Sequence, residues 1–481
     1  MSISTRRRPA PILTIAIVGT LLAGAASAHT NERGIDPRNF DGKTAACTDF
    51  FQYANGGWLA TNPIPDEYSQ WSIDDELRER NLGVLREVLE SAAKNPQPAG
   101  SNLQKIGDFY ASAMDESAIN AVGYDPIKPE LARIAALKTG DDIAALLRDW
   151  HASGLQIGFE FGPESDMKNA GSMIGYAMQG GLGLPDRDYY LRTDAKSKTL
   201  LQKYRAHVER MLGLVGEKNV AAQAGWVIDL ETMLAKASLD RVALRDPANF
   251  YHMHTLKEAD VKTPHFAWEA YFKALDRADV TRFSLAQPEF FVALDKALAT
   301  VPASHWQAYL RWHLVDSAAN ALSETFVQAN FDFYGKILRG TKELKPRWKR
   351  AIDAANGALG EALGQAYVAK TFPPEAKQGA LQLVENLKAA LRERIAKVAW
   401  MGAETKRFAN AKLDTLAVKV GYPDQWRDYS ALTIKHGPYF DNVRAAMAFE
   451  AKRQYAKIDK PVDRSEWGML PQTVNAYYNP L

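Results

Sequence analysis

QIGFEFGPESDMKNAGSMIGYAMQG, residues 156–180, is the stretch in which the chain stops reading as helix. Ile157, Phe159 and Phe161 alternate with smaller or polar residues, a polar turn follows, and a second apolar run gathers around Met173, Ile174 and Tyr176. A period of two on either side of a turn predicts a β-hairpin with one face packed on a core. Outward in both directions the period lengthens. Leu77, Val84, Leu85, Val88 and Leu89 recur at three- and four-residue spacing, as do Leu103, Ile106, Phe109 and Tyr110, which predicts helices with apolar stripes. The same period runs through 199–215, 219–238, 287–299, 303–337, 345–370 and 374–402, with breaks such as Phe372-Pro373-Pro374 between them. Thr255 and Glu258 have the spacing of a capping box. Extended structure is expected again only in TVNAYYNP (473–480), where β-formers stand between Pro471 and Pro480. The fold expected is mainly α, a two-lobed helical architecture with a small β-hairpin near 155–180.

A chain of 481 residues allows two to four domains, and 46% hydrophobic with 24% charged residues is a globular composition, not a disordered one. Residues 1–28 read as a signal peptide. Arg6, Arg7 and Arg8 precede the apolar run Ile12 to Gly24, and Ala26-Ser27-Ala28 is a small-x-small cleavage pattern. That run is shorter than the roughly twenty residues needed to span a bilayer, so no stable membrane anchor is expected. Export to a periplasmic or extracellular compartment is. Net charge is +2, or −1 without those three arginines, too little basic excess for an extended nucleic-acid footprint. The only cysteine, Cys47, is then a free thiol, an intermolecular bridge, or half of a pair completed elsewhere.

Spacing reveals no catalytic machinery. No HExxH, no G-x-S-x-G elbow and no phosphate-binding glycine loop occurs. His252-x-His254 would place two imidazoles on one face of a strand, but no third ligand stands nearby in sequence and His254 abuts the capping box, so a structural or solvent-exposed role is expected. His151, His207, His305 and His313 lie singly in helical stretches. Asp74-Asp75 reads as the acidic start of a helix.

The chain does carry distinctive strings in a distinctive order: CTDFFQYANGGWLATNPIP (47–65), LRERN (77–81), LGLPDRDYY (182–190), WMGAETKRFANAKLDTLAVKVGYPD (400–424) and VDRSEWGMLPQTVNAYYNP (462–480). Together these resemble the neprilysin family of zinc metallopeptidases, over essentially the whole chain after the leader. In that family the NAYYNP-like segment leads into a region bearing an HExxH helix and a later zinc-binding Glu, where two His and a Glu hold zinc and a further Glu activates its water. Here Leu481 comes before any of these. The resemblance therefore implies the N-terminal portion of an exported zinc endopeptidase acting on peptides, inactive alone, with zinc belonging to the full-length family and none bound by this chain. Its partners would be the peptide substrate and the missing C-terminal catalytic region. The alternative is a catalytically dead secreted module that binds peptides or a partner.

The resemblance also implies an organisation. Residues 45–424 form the family's N-terminal region, a helical cap lobe over a peptide chamber, with 45–80 belonging to the catalytic lobe and 425–481 beginning that lobe. No catalytic residue and no metal ligand is expected among them. Substrate binding is assigned to Asn475 and Ala476, which match an edge that hydrogen-bonds peptide backbone, to Tyr477 beside them, and to Arg78 of LRERN near the cleft. An extended edge offers N–H and C=O groups for strand addition, and an Asn amide offers both donor and acceptor. Gln70 stands where peptide-trimming relatives have an Arg that binds the substrate's C-terminal carboxylate, and Asn55 where many animal members have Cys. LGLPDRDYY and ANGGW read as fold determinants. Phe50, Phe51, Trp58, Trp467 and Tyr477, suited to packing on absent helices, are expected to be partly exposed.

Overall fold

A computed structural model describes residues 35–479. The expected leader at 1–28 and its cleavage site lie outside the described residues. Contacts divide the chain into two compact units, Met1–Pro63 and Ile64–Leu481.

In the first unit, Asp49 caps the helix Phe50–Thr61 by accepting from the Gln52 N–H at 2.9 Å. The 3₁₀ turn Pro37–Asn39 lies against this helix, and the Asp41 N–H donates to Tyr53 O at 2.8 Å. Gly57 is needed for that approach, since a Cβ there would collide with the Arg38 carbonyl oxygen. Gly57 of ANGGW thus admits the 38–40 backbone. Phe50 and Phe51 are 69% and 65% exposed, whereas Trp58 is half-buried.

The second unit is mostly helix around one small sheet. The hairpin is present: β1 (Phe159–Asp166) pairs antiparallel with β2 (Asn169–Gln179), Phe159 opposite Gln179 and Phe161 opposite Ala177. Its inward side packs Phe159 against Phe266, Trp268, Tyr271 and Phe291 at centroid distances of 5.3–5.8 Å. Two strands enlarge the sheet beyond expectation, in the order β1-β2-β4-β3, with β3 at Met253–Thr255 and β4 at Arg282–Leu285. They are short, and their neighbours are distant in sequence, so no local period announces them. β2 also pairs locally with the tail, Ser172 opposite Pro461.

Helices stand where the apolar stripes predict them, including Ile73–Lys94, Asn102–Met114, Ala195–Leu214, Val220–Ala237, Pro288–Thr300, Arg347–Thr371 and Pro374–Lys397, and the Thr255–Glu258 capping box closes with both of its bonds. Two readings need correction. The single helix over 303–337 is Ala303–Ala318, a 3₁₀ turn Ala319–Ala321, Glu324–Asn330 and a π-helical stretch Phe331–Arg339. Leu322 is extended, and Ser323 with Glu324 restarts the helix, a start signal that the unbroken apolar period concealed. The expected terminal strand does not form either. Residues 473–479 join no ladder among the described residues, because β-propensity needs a partner strand and Asn475 turns its polar groups inward on its own backbone.

Two apolar cores are present among the described residues. One gathers Trp150, Phe159, Tyr204, Trp268, Trp306 and Trp312 with the sheet; the other gathers Leu85, Leu89, Ile106, Phe109, Ile352, Leu363, Tyr429 and Leu432. Leu89 and Ile352 are fully buried, each worth roughly 1.5–3 kcal/mol against exposure. By contrast, Leu383, Leu387 and Leu391 on the 374–397 helix are 47–60% exposed, and Trp400 beyond it is 79% exposed.

Candidate functional site

The tail reaches its position through the 347–371 helix. Helical geometry breaks at Leu359, and beside the break Gly360 and Gly364 leave a shallow seat. A Cβ on Gly360 would come within 2.6 Å of Leu470, and one on Gly364 within 2.8 Å of the Gln472 side-chain oxygen. Gln472 is 6% exposed and donates through Nε2 to Asn356 Oδ1 at 2.7 Å and Gly360 O at 3.1 Å.

From the other side the LRERN string of the 73–94 helix closes on the tail. Asn81 donates to Gln472 O at 3.1 Å, and Arg78 donates to Val474 O at 3.4 Å while pairing with Asp75 at 2.5 Å. Tyr367 donates to Asn81 Oδ1 at 3.0 Å, which aims the Asn81 amide at the carbonyl. Glu79 accepts from Lys349 at 2.7 Å and from the Tyr68 hydroxyl, and Lys349 also pairs with Glu67. Burial works against charge on Lys349, yet the two carboxylates outweigh it and hold the ammonium above its usual range.

The structure therefore brings Arg78 to the segment carrying Asn475, Ala476 and Tyr477, though its bonds run to Val474 and Asp75. Asn475 and Ala476 are exposed. The Asn475 N–H donates to Thr473 O at 3.1 Å, and its Oδ1 accepts the Ala476 N–H at 2.8 Å. The Tyr477 hydroxyl accepts the Gly468 N–H at 3.1 Å, with the side chain 47% exposed, and Trp467 is half-buried. Asn81 and Gln472 were missed as site residues. Their spacing of 391 residues hides the pairing, and only the occurrence of both in distinctive strings could have linked them.

A cavity of about 1080 Å³ lies in the same unit, walled by the 347–371 helix, the helix Tyr439–Tyr455, the π-helical stretch and β1. Its wall is apolar at Phe109, Phe161, Tyr439 and Val443, and cationic at Arg339, Lys345, Arg347 and Arg350.

Several histidines serve the fold. His252 Nδ1 lies 2.8 Å from Ala286 O and His254 Nδ1 lies 2.7 Å from His252 O, so that pair does not converge on a common point. Among the described residues no three or more His, Cys, Asp or Glu side chains are grouped to hold a metal, and the residues present do not fit a zinc site. His151 contacts Tyr271 Oη and Ile157 O, both at 3.0 Å, and burial pushes it down to about 4. His207 stacks on Phe333 and is likewise pushed down to about 4, chiefly by burial. Cys47 is an exposed free thiol.

LGLPDRDYY is locked onto a buried carboxylate. Glu231, fully buried, accepts from Tyr190 Oη at 3.0 Å, from Tyr204 Oη at 2.9 Å and from the Gly183 N–H at 3.2 Å, with His313 Nε2 2.9 Å away. A Cβ on Gly183 would collide with the Tyr204 hydroxyl.

Comparison with known proteins gives this architecture a family. The chain is 29% identical over 472 residues to an endothelin-converting enzyme homolog of Locusta migratoria, covering 92% of this chain and 64% of that protein. It is 28% identical to human endothelin-converting enzyme 1, covering 90% of this chain and 58% of that one. The chain thus spans less than two thirds of the length of these curated relatives. A crystal structure of the Mycobacterium tuberculosis zinc metalloprotease ZMP1 in complex with an inhibitor superposes with a TM-score of 0.87 at 35% identity, over 93% of this chain and 68% of that one. PepO of Lactobacillus shares the fold, with a TM-score of 0.83 at 23% identity. A profile of peptidase family M13 matches residues 46–423, and with it the chain belongs to peptidase family M13, the neprilysin family.

Proposed function

We propose that these 481 residues are the peptide-handling N-terminal portion of an exported zinc endopeptidase of the neprilysin type, and that alone they do not cleave peptides. The observation that carries this reading is the clamp on the tail. Asn81 and Arg78 hold the carbonyls of Gln472 and Val474, and the next residues, Asn475 and Ala476, are presented to solvent. With the Asn475 N–H and Oδ1 taken by Thr473 O and the Ala476 N–H, a peptide would meet the remaining exposed carbonyls and the Asn475 amide N–H groups. Tyr477 flanks that edge and Arg78 supports it. The zinc ligands and the water-activating carboxylate belong, on this reading, to polypeptide beyond these residues, since no HExxH occurs in the 481.

Anisotropy of a fluorescein-labelled decapeptide of mixed sequence tests this. The purified chain should bind it, and Asn475→Ala should weaken binding by roughly 1–3 kcal/mol, the cost of an unpaired peptide group. Absence of binding overturns the reading. The catalytically dead secreted module shares that binding, and a cavity lined wholly by residues of 64–481 favours it. Appending the HExxH-bearing region of a family member separates the two, because only the enzyme portion gains turnover.

A further inference from the structure

The cationic part of the cavity wall has a common construction. Arg339, Arg347 and Arg350 each donate through Nε to a backbone carbonyl: Tyr334 O at 3.0 Å, Ala113 O at 2.6 Å and Lys345 O at 3.1 Å. An arginine tethered at Nε has its guanidinium plane fixed, with four further N–H donors in hand. Arg347 and Arg350 are the more enclosed, their side chains 11% and 20% exposed, and one helical turn apart on the 347–371 helix. Arg347 also stands over the Tyr439 ring at 5.6 Å. Burial and the neighbouring Arg350 charge both lower the Arg347 pKa, so the pair is under electrostatic tension.

Two other enclosed arginines are satisfied by carboxylates in contact. Arg453 is bonded by Glu450 and Glu466 at 2.6–2.9 Å, and Arg277 by Asp279 at 2.7–2.8 Å. Around Arg347 and Arg350, among the described residues, the ion-pair partners stand off. Glu116 is 4.0 Å from Arg347 and 3.7 Å from Arg350, Glu324 is 3.6 Å from Arg350, and both glutamates are about half exposed. These lengths exceed a hydrogen bond. Of the carboxylates lining the cavity, Asp353 is engaged by Lys345 at 3.2 Å, Glu67 by Lys349 and Glu450 by Arg453 at 2.7 Å, while Glu164 and Glu343 also line it. Two enclosed guanidiniums with unfilled donors on a cavity wall suit a planar anion that accepts two parallel bonds.

We propose that Arg347 and Arg350 form an anion subsite in the cavity that takes a carboxylate of a bound peptide, from an acidic side chain or from the peptide's C-terminus. The subsite rests on the peptide-handling reading above and adds a chemical preference to it. The apolar wall at Phe109, Tyr439 and Val443 would accept the flanking side chains.

The test uses four fluorescein-labelled hexapeptides of one sequence on the full chain, with Glu or Gln at the third position and a free or amidated C-terminus. An added carboxylate should strengthen binding about tenfold at low salt, and whichever arm shows the gain names its source. Arg350→Gln should bring the acid-to-amide ratio close to one, and Arg350→Lys should keep part of it. Arg347→Gln provides a second variant, with thermal unfolding of each checked against the parent. Measurable but equal binding of all four peptides overturns the subsite and leaves the peptide-handling reading standing. A preference that survives both glutamine variants overturns the assignment to these arginines. Binding of none of the four overturns the underlying reading and the subsite with it.

Discussion

At the residue scale, long-range polar contacts account for the strings that local reading could only mark as unusual. LRERN is a helix surface by period, yet its polar residues serve different partners. Arg78 and Asn81 hold tail carbonyls, and Glu79 holds the Lys349 ammonium. LGLPDRDYY is a turn by composition, and its tightness follows from Glu231, which collects two tyrosine hydroxyls and a glycine N–H in a site closed to water. Glu231→Ala should cost about 3 kcal/mol or more in thermal unfolding, since it leaves those donors buried without an acceptor. Glu231→Gln, with one acceptor oxygen retained, should cost markedly less. Equal losses for the two would show that the full carboxylate is required and that one retained acceptor oxygen does not suffice, since Gln keeps the side-chain volume.

At the scale of elements, the hairpin and the helices were legible because their signals are local: alternation at Phe159 and Phe161, stripes at Leu85 and Leu89, and a box at Thr255 and Glu258. The rest was not. β3 and β4 have three and four residues and are defined by partners far away in sequence, and the break at Leu322 lies inside an apolar period that continues across it. TVNAYYNP has strand composition, yet among the described residues it joins no ladder. Arg78 was legible as a site residue only through the family resemblance, and its contact with Val474 depends on a tail that no helical period could place. The elements also set an acid response. His151 and His207 are both pushed down to about 4 by burial, from 6.5 in the unfolded chain. The unfolded chain therefore binds protons between pH 6.5 and 4 that the folded one refuses. Stability from these residues is complete above 6.5 and is lost as pH falls toward 4, by roughly 3 kcal/mol each at most. Melting followed from pH 7.5 to 4 should show this decline, and His207→Phe should flatten part of it. A variant with the parent's slope would remove His207 from that account.

At the scale of the molecule, the chain holds two cores, a cavity and a presented tail segment, and it belongs to peptidase family M13 while spanning less than two thirds of the curated relatives described above. Among the described residues no helix is long and apolar enough to cross a membrane. Exposed Leu383, Leu387, Leu391 and Trp400 are apolar surface of the kind that association covers. The account's central claim is a division of labour, in which these residues handle the peptide and the zinc chemistry resides in further polypeptide. The most direct measurement is zinc content after exhaustive dialysis, taken together with cleavage of a labelled decapeptide with and without chelator. The account predicts no stoichiometric zinc and no turnover. One zinc per chain with chelator-sensitive cleavage would contradict it.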